Sequence, residues 1–185
     1  MIEVKKAQVY LEWLKEKLFL DSKSTQRERK IVRRGEVYYC DFGVGIGCEM
    51  RKKRPCVVLQ NDSGNRNSST TIIAPITHTN ADLPIVVPID EQRNKSGNII
   101  IDGYVNLGNV VCVSKARLSS YTTKLEKEEM LNIDRAISVS LDIDKHYKKL
   151  ENILVDREKY VTKLKEKVLM LEEKVLELEE KTEVE

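Results

Sequence analysis

Three glycines at alternate positions, Gly43, Gly45 and Gly47, are followed by Cys48-Glu49-Met50 and by an unbroken basic run, Arg51-Lys52-Lys53-Arg54, that stops at Pro55. A glycine-broken loop of this kind can turn backbone N–H groups toward an anion, and the cations beside it suit a phosphate. Proline fixes the backbone where the next apolar run begins, so Arg54 is expected at a strand entrance instead of a loop tip. A planar, permanently charged guanidinium held there can stabilise charge that builds up on phosphoryl oxygens. The same residues also fit an ordinary solvated basic loop, with Glu49 as a partner for Arg51 or Lys53. Residue types alone do not separate the two readings.

The loop lies in a middle segment, residues 31–144, whose character is β. Glu36-Val-Tyr-Tyr-Cys-Asp-Phe42 is rich in strand formers. Pro55-Cys-Val-Val-Leu-Gln60 reads as a buried strand, closed by turn residues at 61–65. Further short runs at 70–76, 83–89, 99–105 and 110–113 predict a small, strongly bent sheet or partial barrel. Residues 119–123 lead into a helix expected at about 124–141, with Met130, Ile133, Ile137 and Leu141 on one face. Residues 1–30 form a separate N-terminal piece. Val4, Ala7, Leu11, Leu14 and Leu18 make one helical stripe over 2–20, widened by Trp13, Phe19 and Leu20. A loop at 21–25 and a basic linker follow, the latter including Arg27, Arg29, Lys30, Arg33 and Arg34.

Residues 145–185 have the clearest periodicity. Val161, Leu164, Val168, Leu171, Val175 and Leu178 alternate spacings of three and four. With Val at a and Leu at d this is the pattern of a parallel two-stranded coiled coil, and Lys167 and Lys174 at g can reach Glu172 and Glu179 at e of a partner. Pairing with the N-terminal stripe inside the same chain fits the spacing equally well.

The 185 residues suffice for one domain and extra elements. Lys and Arg number 32 against 30 Asp and Glu, so the net charge of +2 says less than its distribution. A basic middle and an acidic end point to a polyanion partner for the first and a shielding or docking role for the second. No apolar run is long enough to span a bilayer, and the charged N-terminus does not read as a signal peptide. The four cysteines form no CxxC pair. Cys40 and Cys112 sit in strand-like runs and are expected as small buried hydrophobes, with no metal site, no cofactor and a reducing cytoplasmic compartment.

Set in order, Arg34-Gly-Glu-Val-Tyr38, Gly47-Cys-Glu49, Arg54-Pro-Cys-Val-Val-Leu-Gln-Asn-Asp62, Gly64-Asn65 and Ile76-Thr77 resemble the MazF/PemK family of toxin endoribonucleases. Leu83-Pro84, Arg117-Leu118 and Ser138-Val-Ser-Leu141 fit the same pattern. The resemblance covers about residues 32–143; both terminal helices lie outside it. It implies a mainly β fold with α, an SH3-like small β-barrel with a C-terminal helix, in a homodimer. It implies metal-independent cleavage of single-stranded RNA by 2′-hydroxyl attack, giving a cyclic phosphate and a 5′-hydroxyl, and an antitoxin protein as partner.

By the same resemblance Arg54 matches the catalytic arginine and Thr77 its partner at a strand end. The Thr77 hydroxyl would hydrogen-bond a phosphate oxygen or help move a proton. Glu49, Arg51, Lys52, Lys53 and His78 are the RNA-binding candidates. Glu49 is open to a role as base or base-edge contact, and His78 to titration near neutral pH. Two departures stand out. Arg51-Lys52-Lys53 stand where the family often has glycines, and Gly108-Asn109-Val110-Val111 where it often has Glu-Gln-Ile-Arg. Base preference therefore does not transfer. The alternative is a barrel that binds RNA or protein as a regulator, assembled through its helical arms.

Overall fold

The computed structural model describes residues 3–24 and 30–182, with side chains for 3–22 and 30–175. Arg27 and Arg29 of the basic linker, residues 183–185 of the acidic end and the side chains of Leu178 and Glu179 lie outside the described residues. The chain divides into two units, Met1–Ser140 and Leu141–Glu185.

In the first unit, α1 (Val4–Ser24) precedes β1 (Glu36–Asp41), β2 (Lys53–Val58), the short α2 (Asp62–Asn67), β3 (Thr70–Thr77), β4 (Val86–Arg93), β5 (Ile99–Asn106), β6 (Val111–Ser114), β7 (Leu118–Lys124) and α3 (Lys127–Ser140). The strands form one antiparallel sheet in the order β4-β5-β3-β2-β1-β7, with β6 also on β3. β3 is shared: its first half pairs with β6, its end with β5 through Ile76↔Val105 and Thr77↔Tyr104. Register shifts interrupt the β1–β7 and β4–β5 pairings. Such irregularities bend and twist a sheet, which lets this one curl into a half-barrel. The expected small barrel with a C-terminal helix is the architecture found.

The alternation of side chains explains the two cores. Val37, Val57, Leu59, Ala74 and Ile76 point to one face and meet Val105 of β5 and Ile133 and Ala136 of α3. Tyr38, Cys40, Cys56, Val58 and Ile73 point to the other and meet Val32, Val113 and Leu118. The central strands are thus covered on both sides, which is why they read as continuous apolar runs. Glu129, buried in α3, ties helix to sheet: one carboxylate oxygen accepts from the Asp90 amide at 3.0 Å, the other from the Glu126 amide at 2.7 Å.

Several elements differ from expectation. The helix expected at 2–20 is found over Val4–Ser24, running into the segment read as a loop. Residues 61–65 open a helix, because the Asn61 side chain caps it by accepting from the Gly64 amide at 2.7 Å. The strand expected at 83–89 begins at Val86 and continues through Asp90-Glu-Gln-Arg93. Residues 118–124 form β7, held by β1 through pairs such as Tyr38↔Tyr121. Cys112 is exposed, because it occupies the outer face of β6 opposite Ile72. The apolar stripe of α1 is also outward: Val4, Leu11, Leu14 and Leu18 are exposed, and the helix touches the sheet domain through Trp13 instead.

The second unit contains α4 (Asp144–Thr182), a single helix of 39 residues. Two ion pairs mark its start: Lys148–Asp144 at 2.5 Å within its first turn, and Lys145 with Asp142, just before the helix, at 2.9 Å.

Candidate nuclease site

Arg54 stands at a strand entrance, as the second residue of β2, opposite Cys40 of β1. On its other edge β2 pairs with β3 through Val58↔Ile73, Val57↔Ala74 and Cys56↔Pro75. The pairing ends at Cys56↔Pro75; continued by two residues, this register would bring Arg54 opposite Thr77, on the face that carries Cys56 and Pro75. The Arg54 Nε donates to the Arg51 carbonyl at 2.9 Å, which fixes the stem of the guanidinium. Among the described residues no carboxylate forms an ion pair with it. Thr77 is 8% exposed, and its Oγ1 accepts from the Thr79 amide at 3.1 Å. Its own O–H remains the group it can offer to an oxygen anion.

The loop at 42–52 is closed at its base by two main-chain bonds. The Phe42 amide donates to the Lys52 carbonyl at 3.1 Å and the Lys52 amide to the Gly43 carbonyl at 2.9 Å. Lys52 sits at φ 64°, a conformation glycine adopts most freely, at one of the positions where the family often has glycine. Glu49 folds back on the loop: its Oε2 accepts from the Ile46 amide at 2.8 Å. A Cβ on Gly45 would lie 2.6 Å from the Glu49 Cβ, so that turn depends on glycine. Glu49 makes no ion pair with Arg51 or Lys53 among the described residues. Arg51 donates to the Gly47 carbonyl within the loop, and Lys52 and Lys53 are exposed. The structure therefore gathers Arg51, Lys52, Lys53 and Arg54 on one loop and strand entrance and gives Glu49 a local shaping bond.

His78 follows Thr77 but leaves the strand toward β5. Its side chain is 79% exposed and its Nδ1 lies 3.5 Å from the Asp102 carboxylate. Beside it Gly103 has φ 103°, and a Cβ there would come within 2.6 Å of the Thr77 carbonyl. This close approach of β5 sets the end of β3, and a lone glycine in a strand was its only trace in the sequence.

A second contribution had no trace. The Trp13 indole lies directly on Gly43, φ 75°, where a Cβ would be 2.2 Å from the ring, and the Arg117 guanidinium stands 5.4 Å from the ring centroid on the indole. α1 thereby holds the root of the basic loop. Beneath the site, Cys56 is buried and donates to the Tyr38 carbonyl at 3.3 Å. A hydrogen bond with Cys40, then burial, holds its thiol far above the usual range. No group of three or more His, Cys, Asp or Glu with metal-holding geometry occurs among the described residues.

Residues 33–141 match the family model described as PemK-like, MazF-like toxin of type II toxin–antitoxin system. The chain is 39% identical over 113 residues to Endoribonuclease EndoA of Bacillus subtilis, covering 60% of this chain and 95% of that protein. It is 34% identical over 116 residues to Endoribonuclease MazF of Staphylococcus epidermidis, covering 62% and 94%. Among solved structures, an endoribonuclease in complex with its cognate antitoxin from a mycobacterial species superposes with a TM-score of 0.51 at 25% identity, over 60% of this chain and 95% of that one. MazF from Deinococcus radiodurans superposes with a TM-score of 0.54 at 15% identity, over 61% and 98%, a likeness of fold.

Proposed function

The chain belongs to the PemK-like, MazF-like toxin family of type II toxin–antitoxin systems, and from that premise we propose that this endoribonuclease cuts single-stranded RNA between Arg54 and Thr77 without a metal ion. The ribose 2′-oxygen attacks the adjacent phosphorus. The P–O2′ bond forms, the P–O5′ bond breaks, the 2′-hydroxyl proton is lost and the departing 5′-oxygen gains one. A 2′,3′-cyclic phosphate and a 5′-hydroxyl result.

Negative charge accumulates on the non-bridging oxygens during that exchange. Arg54 stabilises it by charge and by N–H donation, and the Thr77 hydroxyl adds a second, neutral donor. Arg51, Lys52 and Lys53 hold the flanking phosphates, while His78 meets the strand beyond Thr77 and Glu49 keeps the loop in shape. The observation that supports this reading is the β2–β3 register, which runs to Cys56↔Pro75 and, continued by two residues, would set a guanidinium across from a hydroxyl at the mouth of a basic loop. The cut requires an unpaired strand, because the 2′-oxygen must swing in line with the leaving oxygen.

Residues 31–144 act as the catalytic domain, with 1–30 and 145–185 as helical arms. The barrel works as a homodimer, and the exposed cross-strand neighbours Ile72 and Cys112, with Val111, supply an apolar face for it. An antitoxin protein neutralises it in the cytoplasm. No helix among the described residues is long and apolar enough to cross a membrane.

The test is cleavage of a single-stranded RNA in EDTA, with the ends of the products identified. Arg54→Ala lowers the rate by about 10²–10³-fold, the range for losing one charge-stabilising donor, while the circular dichroism spectrum is unchanged. Cleavage that needs added metal, a 5′-phosphate product or an undiminished Arg54→Ala rate refutes the mechanism.

A further inference from the structure

α4 carries one open apolar stripe at alternating spacings of three and four, besides scattered apolar residues such as Val155, Leu169 and Met170. Val161, Leu164, Val168, Leu171 and Val175 are 47, 42, 50, 52 and 51% exposed, and Leu178 continues the spacing. A shallow apolar groove runs between Val168, Leu171 and Val175. The register extends upstream through Leu154 and Leu150 to Tyr147, all exposed, with Arg157 the one charged residue in a core position. None of this lies within residues 33–141, the span of the family match. A polar residue at one core position costs stability but fixes register, so Arg157 does not end the pattern.

We infer that α4 is the interface with a second copy of this chain, paired parallel and in register as a two-stranded coiled coil. The flanking charges choose both the partner and its direction. Lys167 and Lys174 occupy g positions, and Glu172 and Glu179 occupy e. In a parallel pair each g residue faces the e residue five positions on in its partner, so Lys167 meets Glu172 and Lys174 meets Glu179, twice over by symmetry. In an antiparallel pair g faces g and e faces e, which sets Lys167 and Lys174 against the same lysines of the partner, while at the e positions Lys165 is the one cation near Glu172 and Glu179.

The stripe of α1 is a poorer occupant. Between Ala7 and Leu18 its flanks are Gln8, Tyr10, Lys15 and Lys17, which can answer Glu172 or Glu179 but offer no carboxylate to Lys167 or Lys174. Val at a with Leu at d also suits two parallel strands. Two catalytic units are thereby joined through their C-terminal arms, by contacts separate from any barrel-to-barrel interface.

The inference is tested by disulfide trapping in the full chain, in an Arg54→Ala background with Cys48 and Cys112 replaced by serine. Leu171→Cys, at a core position, meets its own counterpart only when the helices are parallel and in register. It is expected to convert most of the chain to a covalent dimer on mild oxidation. Glu173→Cys, on the outer face, is expected to form no covalent dimer. Lys167→Glu with Lys174→Glu should abolish the Leu171→Cys dimer, and adding Glu172→Lys with Glu179→Lys should restore it. Equal trapping at 171 and 173, no trapping at 171, or trapping that lysine reversal strengthens overturns the inference. So does an internal disulfide within one chain between Leu14→Cys and Leu171→Cys.

Discussion

Gly43→Ala tests the hold of α1 on the basic loop. The substituted Cβ would lie 2.2 Å from one indole carbon of Trp13 and 2.3 Å from another. Ordinary carbon contact is about 3.5 Å, so the ring must retreat by roughly 1.3 Å. Alanine at φ 75° adds a backbone penalty of about 1–2 kcal/mol. Withdrawing the indole from Arg117 forfeits about 0.5–1 kcal/mol of cation–π attraction at a partly exposed site. The sum, about 1.5–3 kcal/mol, falls on the docking of α1 and the loop root, while the two barrel cores are untouched. Trp13 is the only tryptophan, so its fluorescence reports the event directly. Emission should move to the red and acrylamide quenching should rise, with the sheet's circular dichroism preserved. RNA affinity should fall as well, because the Gly43 carbonyl accepts the Lys52 amide and passes the displacement to residues 51–54. In a Trp13→Ala background the same substitution should cost only the backbone part, and the difference is the coupling energy. Unchanged emission and quenching, or full additivity in the double variant, refutes the clamp.

Thr77→Val keeps shape but removes the hydroxyl. Losing one hydrogen bond to a charged group, about 1.5–3 kcal/mol, should slow single-turnover cleavage roughly 10- to 100-fold, and an unchanged rate excludes Thr77 from the chemistry. Native protein should react with a thiol reagent at Cys48 but not at Cys40 or Cys56, with Cys112 protected where the barrels pair, and all four cysteines should react once unfolded; rapid native reaction at Cys56 contradicts its burial. Stability should decline as pH rises. Burial and the Glu36 carboxylate hold the Tyr38 phenol above its usual range, and Cys40 and burial do the same for the Cys56 thiol. Both groups bind their protons more tightly folded than unfolded. Their contribution is complete below the unfolded-state values, about pH 8.5 for the thiol and about 10 for the phenol, and declines progressively above them toward the raised folded-state values. Lys30, lowered chiefly by burial, opposes this over the range below its ordinary pKa. A urea midpoint that does not fall between about pH 8 and about pH 11 refutes the account, and Cys56→Ala should flatten the early part of the decline.

Residue order alone determined a good deal. Strand formers with period two and apolar runs covered on both faces announced β1, β2, β3 and β5, because local pattern and burial agree there. The run from Arg51 to Pro55 announced a cation at a strand entrance, because proline constrains its own backbone and that of the residue before it. α4 announced itself by heptads, a purely local periodicity. What local pattern cannot carry is contact between residues far apart in sequence. β7, Leu-Ser-Ser-Tyr-Thr-Thr-Lys, is polar enough to read as a loop and is a strand only because β1 offers it an edge. Arg54 and Thr77 are 23 positions apart, and what relates them is the β2–β3 pairing, which ends two residues short of both at Cys56↔Pro75. Trp13 sits among exposed stripe residues and finds its partner 30 positions away, at a glycine with no side chain to signal it. Those pairings were decided in three dimensions, where the loss of chain entropy on closing each loop is offset by burial that no single segment contains.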